Sequence, residues 1–357
     1  MRASALSNLR ARRNPDQRTI QEASAQIQED ESVQYLVGAM QPVEEGYTRN
    51  TIDAANRVFA QIQEAMNQQG IGVTQDYQGS VTKNTHILAY SDIDLLVLHG
   101  KFYDIQPPQE TADPAYQGNP LQDLIDMRAT SAAKLRVAYP TATLDESKDK
   151  CLCISGGSLK RKVDVVLCNR WHTVDFANTG NAVYKGFAIL DKSVPKRQYD
   201  QPFIHSAHLE HKDNRTFGNA KALIRLLKVL KYDSEKRCDM SSYDIESIVY
   251  HMPDEMMHGS IGDEILLAVA CKDWLTQLEA DSTTRNGLDV PDGTRKVFAT
   301  DHATLAQLTA LRKELQALLE EIENSLTKSY RRLNEAKVKW NQGIQRTPWY
   351  VAPQRRV

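Results

Sequence analysis

Asp92 and Asp94 stand two residues apart in Ser91-Asp92-Ile93-Asp94-Leu95-Leu96-Val97. Alternate side chains on a β-strand share a face, so a strand over 92–98 would present both carboxylates on one side and turn Ile93 and Leu95 into a core. Two aligned carboxylates make a hard-oxygen site suited to Mg²⁺ held together with a nucleotide's phosphates. Gly79-Ser80 lies just upstream, where the missing side chain of glycine lets backbone N–H groups approach a phosphate closely. Holding two metal ions needs a third carboxylate, and Asp164 is the candidate, set in the apolar run Lys162-Val163-Asp164-Val165-Val166-Leu167. A charge in such a strand is costly unless it is paired or metal-bound. These groups together point to nucleotidyl transfer.

The elements that must position them follow from periodicity. Ile52, Ala55, Val58, Phe59, Ile62 and Met66 predict a helix over 51–68, ended by Gly70. Ile71, Val73 and Tyr77 alternate as a short strand leading into Gly79-Ser80. Pro107, Pro108, Pro114 and Pro120 mark a long connection before a helix over 121–137. Strands are expected near 141–145, 150–155 and 162–167, with a turn at Gly156-Gly157.

From residue 219 the pattern becomes helical. Leu223, Leu226, Leu227 and Leu230 share one stripe, as do Ile245, Ile248, Val249 and Met252, and Ser241 with Asp244 resembles a capping box. A helix over 262–280, a polar linker over 282–300 and a long helix over 301–340 complete the second half. The reading is an α+β chain of two lobes: an arm or helix over 1–50, a mixed-sheet catalytic lobe over 51–200, a helical lobe over 201–345 and a tail over 346–357.

The chain has 357 residues, more than one core usually serves. Hydrophobic content of 41% and charged content of 25% are those of an ordinary globular protein. No apolar run is long enough to cross a bilayer, and the basic N-terminus lacks the apolar core of a secretory signal. Five cysteines without disulfide density fit a reducing cytoplasm. A net charge of −2 argues against general nucleic-acid binding.

Gly79-Ser80, Ser91-Asp92-Ile93-Asp94 and Lys162-Val163-Asp164-Val165-Val166 together resemble the polymerase-β-like nucleotidyltransferase signature. Asn219-Ala220-Lys221-Ala222-Leu223-Ile224-Arg225-Leu226-Leu227-Lys228, followed by Ser242-Tyr243-Asp244-Ile245-Glu246, is similar to the helical-lobe pattern of the cGAS/DncV-like group and its bacterial members, the CD-NTases. The resemblance spans roughly residues 50–255. It implies that Asp92, Asp94 and Asp164 hold two Mg²⁺ ions, with Mn²⁺ as an alternative. Gly79 and Ser80 would grip the donor's triphosphate, Lys228 and Ser242 would contact its phosphates, and Tyr243 would stack on its base. The implied product is a cyclic di- or trinucleotide made from NTPs, acting on a downstream effector in antiphage defence. Some members are conjugated through their C-termini, and the tail ending Arg355-Arg356-Val357 is compatible with that without showing it. The family usually places Gly-Thr where this chain has Asn84-Thr85; Asn tolerates a left-handed backbone, which preserves the turn.

Two rival functions share these residues: a nucleotidyltransferase making linear oligonucleotides or modifying RNA or protein, and a non-catalytic nucleotide-binding scaffold. The intact carboxylates weigh against the scaffold. Other clusters read as structure. Glu246 is expected to be a helix-face partner and Arg225 a surface or interlobe ion pair. His205, His208 and His211 sit in a segment of uncertain helicity and are too divergent for an easy shared metal. Cys151 and Cys153 share a strand face without a second zinc-spaced pair, so core packing is expected. The leucine stripe over 308–322 is expected to pack inside the chain rather than on a partner helix.

Overall fold

The computed structural model describes residues 31–88, 92–109, 116–234, 238–258 and 263–345, with side chains as far as residue 327. Ser91, residues 1–30 of the expected arm, Pro114 and the tail after residue 345 lie outside the described residues.

The chain begins with α1 (Glu31–Met40) and α2 (Glu45–Gln68), then β1 (Val73–Gln78), β2 (Ile93–Ile105), α3 (Pro120–Ala138), β3 (Thr143–Asp145), β4 (Cys151–Gly156) and β5 (Leu159–His172). The short helix α4 (Val174–Thr179) precedes β6 (Gly186–Asp191) and β7 (Lys196–Asp200). The seven strands form one mixed sheet in the order β1-β2-β5-β4-β3. β6 pairs with the far half of β5, from Cys168 to Trp171, and β7 with β6. Among the described residues only the β2–β5 ladder is parallel; the other pairings are antiparallel.

The alternation at 92–98 settles as expected on one face. Ile93, Leu95 and Val97 of β2 join Val163, Val165 and Leu167 of β5 beneath α2 and α3, where Ala55, Val58, Ile62, Leu124, Met127 and Leu135 close the core. The opposite face is also apolar beyond the carboxylates: Leu96, Leu98, Val166, Cys168, Phe187 and Ile189 form a second, smaller cluster. Burial on both faces accounts for the unbroken Leu95-Leu96-Val97-Leu98 run, since a strand covered on both sides has no reason to alternate.

The helical lobe comprises α5 (Pro202–Arg215), α6 (Asn219–Asp233), α7 (Ser242–Tyr250), α8 (Glu264–Ala280), α9 (Ser282–Gly287) and α10 (Leu305–Gln345). Leu308, Leu311, Leu315, Leu318 and Ile322 are all buried in its core, so the leucine stripe packs within the chain. The side-chain hydroxyl of Ser241 caps α7 by accepting from the Asp244 backbone N–H. Three expectations change. Tyr35, Leu36, Ala39 and Met40 of α1 are buried in the helical core, so this part of the expected arm belongs to the helical lobe. The 282–300 stretch is not a free linker: α9 opens it, and Leu288, Val290 and Val297 anchor the rest in the same core. The histidine segment is helical because Pro202 sits in the first turn of α5, where a missing N–H costs nothing. Among the described residues no helix is long and apolar enough to cross a membrane.

Candidate active site

Parallel pairing of β2 with β5 sets Asp94 directly opposite Asp164. Neighbouring strands lie about 4.8 Å apart, so two carboxylates from distant parts of the sequence share one face. Asp92 joins them from the start of β2. Burial, then the like charges of Asp164 and Asp92, push the Asp94 carboxyl up to about 7. Lysines provide the available counter-charge. Lys162 Nζ pairs with Asp92 and lies 3.5 Å from Asp164 Oδ1, and Lys148 Nζ lies 3.5 Å from Asp164 Oδ2. Lys162 shares the Asp164 face because it sits two residues before it on β5. That spacing is visible in the sequence, but spacing alone does not say which carboxylates Lys162 meets.

β1 runs antiparallel to β2 with Gln78 opposite Asp94, and the chain then turns at Gly79 with φ of 88°. A Cβ at this position would collide with Asp94 Oδ2, so glycine is demanded both by the backbone and by the carboxylate. The loop closes on itself through Thr82 Oγ1 to the Gly79 carbonyl (3.0 Å) and Thr85 N to the Ser80 carbonyl (3.0 Å). Asn84 takes the left-handed conformation expected of it, at φ 54°. Ser80 is half-buried within this loop.

The helical lobe grips the loop from below. α6 is buried almost all round and carries Lys221, Arg225 and Lys228 along one stripe. Arg225 donates to the carbonyls of Asn84 and Met40, each at 2.8 Å. It is therefore an interlobe tie to backbone oxygens rather than an ion pair. Lys228 Nζ donates to the Thr85 carbonyl at 2.8 Å and stands 3.8 Å from Glu246 Oε1, with its side chain 2% exposed. Lys228, which the resemblance implies as a phosphate contact, thus lies directly behind the Gly79–Thr85 loop, and burial lowers its ammonium to about 8.

Glu246 is the hub. It accepts from Thr85 Oγ1 (2.8 Å) and Lys83 Nζ (2.6 Å), and its Oε2 lies 2.9 Å from His205 Nε2. Burial alone would raise this carboxyl, but Lys83, His205 and Lys228 outweigh it and hold it well below the ordinary range. Glu246 is thus a structural partner, as its place on a helix face suggests, but one that ties the Gly79–Thr85 loop to the helical lobe, which its position in the sequence does not show. No local signal marks it, because its partners lie 18 to 163 residues away.

Tyr243 and Ser242 occupy the first turn of α7, both half-buried. The Tyr243 ring stacks on His205 with centroids 4.1 Å apart, its hydroxyl donates to Asp292, and the Arg295 guanidinium lies 5.4 Å from the ring centroid. The loop, the Glu246 hub and the tyrosine are thus one connected unit. The three helical histidines diverge: His205 meets Glu246, His208 is placed toward Tyr250 and His211 toward Arg215. Farther along the carboxylate face, a cavity of about 420 Å³ opens between Thr74, Asp76, Leu98, Arg170, Phe176 and Phe187. Its lining residue nearest the carboxylates, Asp76, pairs with Leu96, two residues beyond Asp94 and roughly 7 Å along the strand.

Three carboxylates on one face, one of them buried and raised by its like-charged neighbours, with a glycine turn against it, fit a divalent cation bound with phosphate. A family model described as the cGAS/DncV-like nucleotidyltransferase C-terminal helical domain matches residues 207–331. A protein of Yersinia aleksiciae named cyclic dinucleotide synthase CdnE is 33% identical over 79% of this chain and 75% of its own length. One from a Lachnospiraceae bacterium, named c-di-GMP synthase, is 30% identical over 70% of this chain and 79% of its own. The solved structure of a STING-associated CdnE c-di-GMP synthase from Flavobacteriaceae sp. superposes with a TM-score of 0.74 at 25% identity, covering 91% of this chain and 99% of that one. The sheet with its facing carboxylates, the helical lobe and these likenesses place the chain among the cGAS/DncV-like nucleotidyltransferases, and it belongs to that family.

Proposed function

We propose that this enzyme joins two nucleoside triphosphates into a cyclic dinucleotide, with Asp92, Asp94 and Asp164 holding Mg²⁺. The observation that carries the reading is the Asp94–Asp164 pairing across parallel strands, with Gly79 pressed against Asp94. When bound, the metal would neutralise phosphate charge and favour departure of pyrophosphate. A ribose hydroxyl of one nucleotide forms a bond to the α-phosphorus of the other, the bond to the β-phosphate oxygen breaks, and a second round closes the ring. Gly79 and Ser80 bind the donor's phosphates through the loop backbone and hydroxyl. Lys228, Arg225 and Glu246 fix that loop, and Ser242 and Tyr243 seat the donor from α7. The names of the relatives support a dinucleotide over a larger ring, and the description of the Flavobacteriaceae structure as STING-associated supports a downstream effector that senses the product. A role in antiphage signalling rests on the family resemblance alone.

The test is incubation of the purified chain with GTP alone and with all four NTPs, with Mg²⁺ present or chelated, followed by phosphatase treatment and mass spectrometry. A phosphatase-resistant cyclic dinucleotide that needs Mg²⁺ and vanishes in Asp94→Ala is expected. Linear products alone, or turnover unchanged in Asp94→Ala, would refute the reading.

A further inference from the structure

Beside the three aspartates lies a second donor set of different chemistry. β4 pairs antiparallel with β5 so that Cys153 stands opposite Asp164 and Cys151 opposite Val166. Cys151 and Cys153, two apart on one strand, therefore point to the carboxylate face. Their sulfurs are 3.9 Å apart, Cys153 Sγ is 2.6 Å from Asp164 Oδ1, and one ligand atom from each of the three residues lies within 4.8 Å of the others. Thiolates bound to one tetrahedral Zn²⁺ at about 2.3 Å stand about 3.8 Å apart. The two sulfurs already have this spacing. The Cys153 thiol donates to Asp164 Oδ1 at 2.6 Å, so for both to ligate one tetrahedral ion the thiol must lose its proton and the pair must open by about 1 Å, while Lys148 and Lys162, each 3.5 Å from an Asp164 oxygen, give way to the cation.

We propose that Cys151, Cys153 and Asp164 form a site for a thiophilic divalent cation, Zn²⁺ or Cd²⁺, whose binding draws Asp164 out of the catalytic carboxylate set and inhibits the enzyme. Soft thiolates select such ions over Mg²⁺, which prefers oxygen alone. Binding at this site is thus a competition between metals for one shared carboxylate. The inhibitory half of the proposal rests on Asp164 being a catalytic carboxylate.

Cd²⁺ titration of the metal-stripped chain, followed by its ultraviolet thiolate-to-metal charge-transfer band, reads binding without catalysis. One equivalent per chain is expected to saturate the band. Cys151→Ala/Cys153→Ala should abolish it, and Asp164→Asn should weaken the affinity on the order of tenfold. A band that survives in the double cysteine variant would come from Cys168, Cys238 or Cys271 and would overturn the site, as would no band at all. The second readout is the ratio of cyclic product formed with and without Zn²⁺ at saturating Mg²⁺. That ratio should fall at least tenfold in the native chain and stay near one in the double variant's own activity. Equal Zn²⁺ sensitivity in both would overturn the inhibition. Asp164→Asn assayed in Mg²⁺ alone tests the catalytic role separately, so failure of that role is distinguishable from failure of the thiol site. Circular dichroism of the double variant confirms that it is folded.

Discussion

Gly79→Ala should separate what the phosphate loop needs for folding from what it needs for chemistry. Gly79 has φ of 88°, and an added Cβ would collide with Asp94 Oδ2. Left-handed backbone costs an alanine about 1–2 kcal/mol. The collision can be relieved by turning the Asp94 carboxyl aside, so the added cost to stability is small and the melting temperature should fall by only a few degrees. The chemistry has no such escape, because the oxygen that must move belongs to a proposed metal ligand. A displacement of about 1 Å at a reacting centre costs on the order of 10²-fold in rate, so kcat/KM for cyclic product should drop by at least that factor. Gly218 supplies the control. It has nearly the same backbone, φ 89°, with nothing within 4 Å of an added Cβ. Gly218→Ala should lose comparable stability and keep its activity. The assay is cyclic product formation with Mg²⁺ on both variants beside a thermal melt. If Gly79→Ala retains kcat/KM within about threefold while losing the same stability as Gly218→Ala, the loop does not press on Asp94 as argued.

Glu246→Gln leaves Lys83 and Lys228 without their buried carboxylate and should cost about 3 kcal/mol, read by chemical denaturation; an effect under about 0.5 kcal/mol would remove Glu246 from its place as the hub. Tyr243→Ala should raise KM for NTP on the order of tenfold while Tyr243→Phe, which keeps the ring, stays near native; equal loss in both would assign the role to the Asp292 hydrogen bond rather than to stacking. His86 is held down at about 4, first by burial and then by Lys228 and Arg225. Its folded value lies below the ordinary 6.5, so the unfolded chain binds the extra proton first. Stability is full above pH 6.5 and falls by about 3 kcal/mol toward pH 4. His86→Gln should flatten that slope in melts at stepped pH, and an unchanged slope would show that other groups carry it.

Much of the site was legible because its signals are local. The period of two at Asp92 and Asp94, the glycine beside a serine and the misplaced charge of Asp164 each follow from the geometry of a few consecutive residues. The helical half was legible for the same reason, as a run of apolar stripes with a capping serine at Ser241. The 282–300 stretch misled because its polarity is real, while the three apolar residues that anchor it, Leu288, Val290 and Val297, are too few to make a period. Arg225 and Glu246 were legible as an interlobe contact and a structural partner, but not in their partners, because a charged side chain on a helix says nothing of which carbonyl or ammonium it will meet.

The residue types alone determined the chemistry, since hard carboxylate oxygens near a glycine loop suit a metal-bound phosphate wherever they are brought together. The tertiary structure decided which groups share a face and which support them. Parallel register put Asp94 against Asp164, antiparallel register put Cys153 beside that same carboxylate, and burial of α6 turned Lys228 and Arg225 toward the loop. Register and burial are settled by contacts between segments far apart in sequence, where the free energy of packing the whole core outweighs what any single residue prefers.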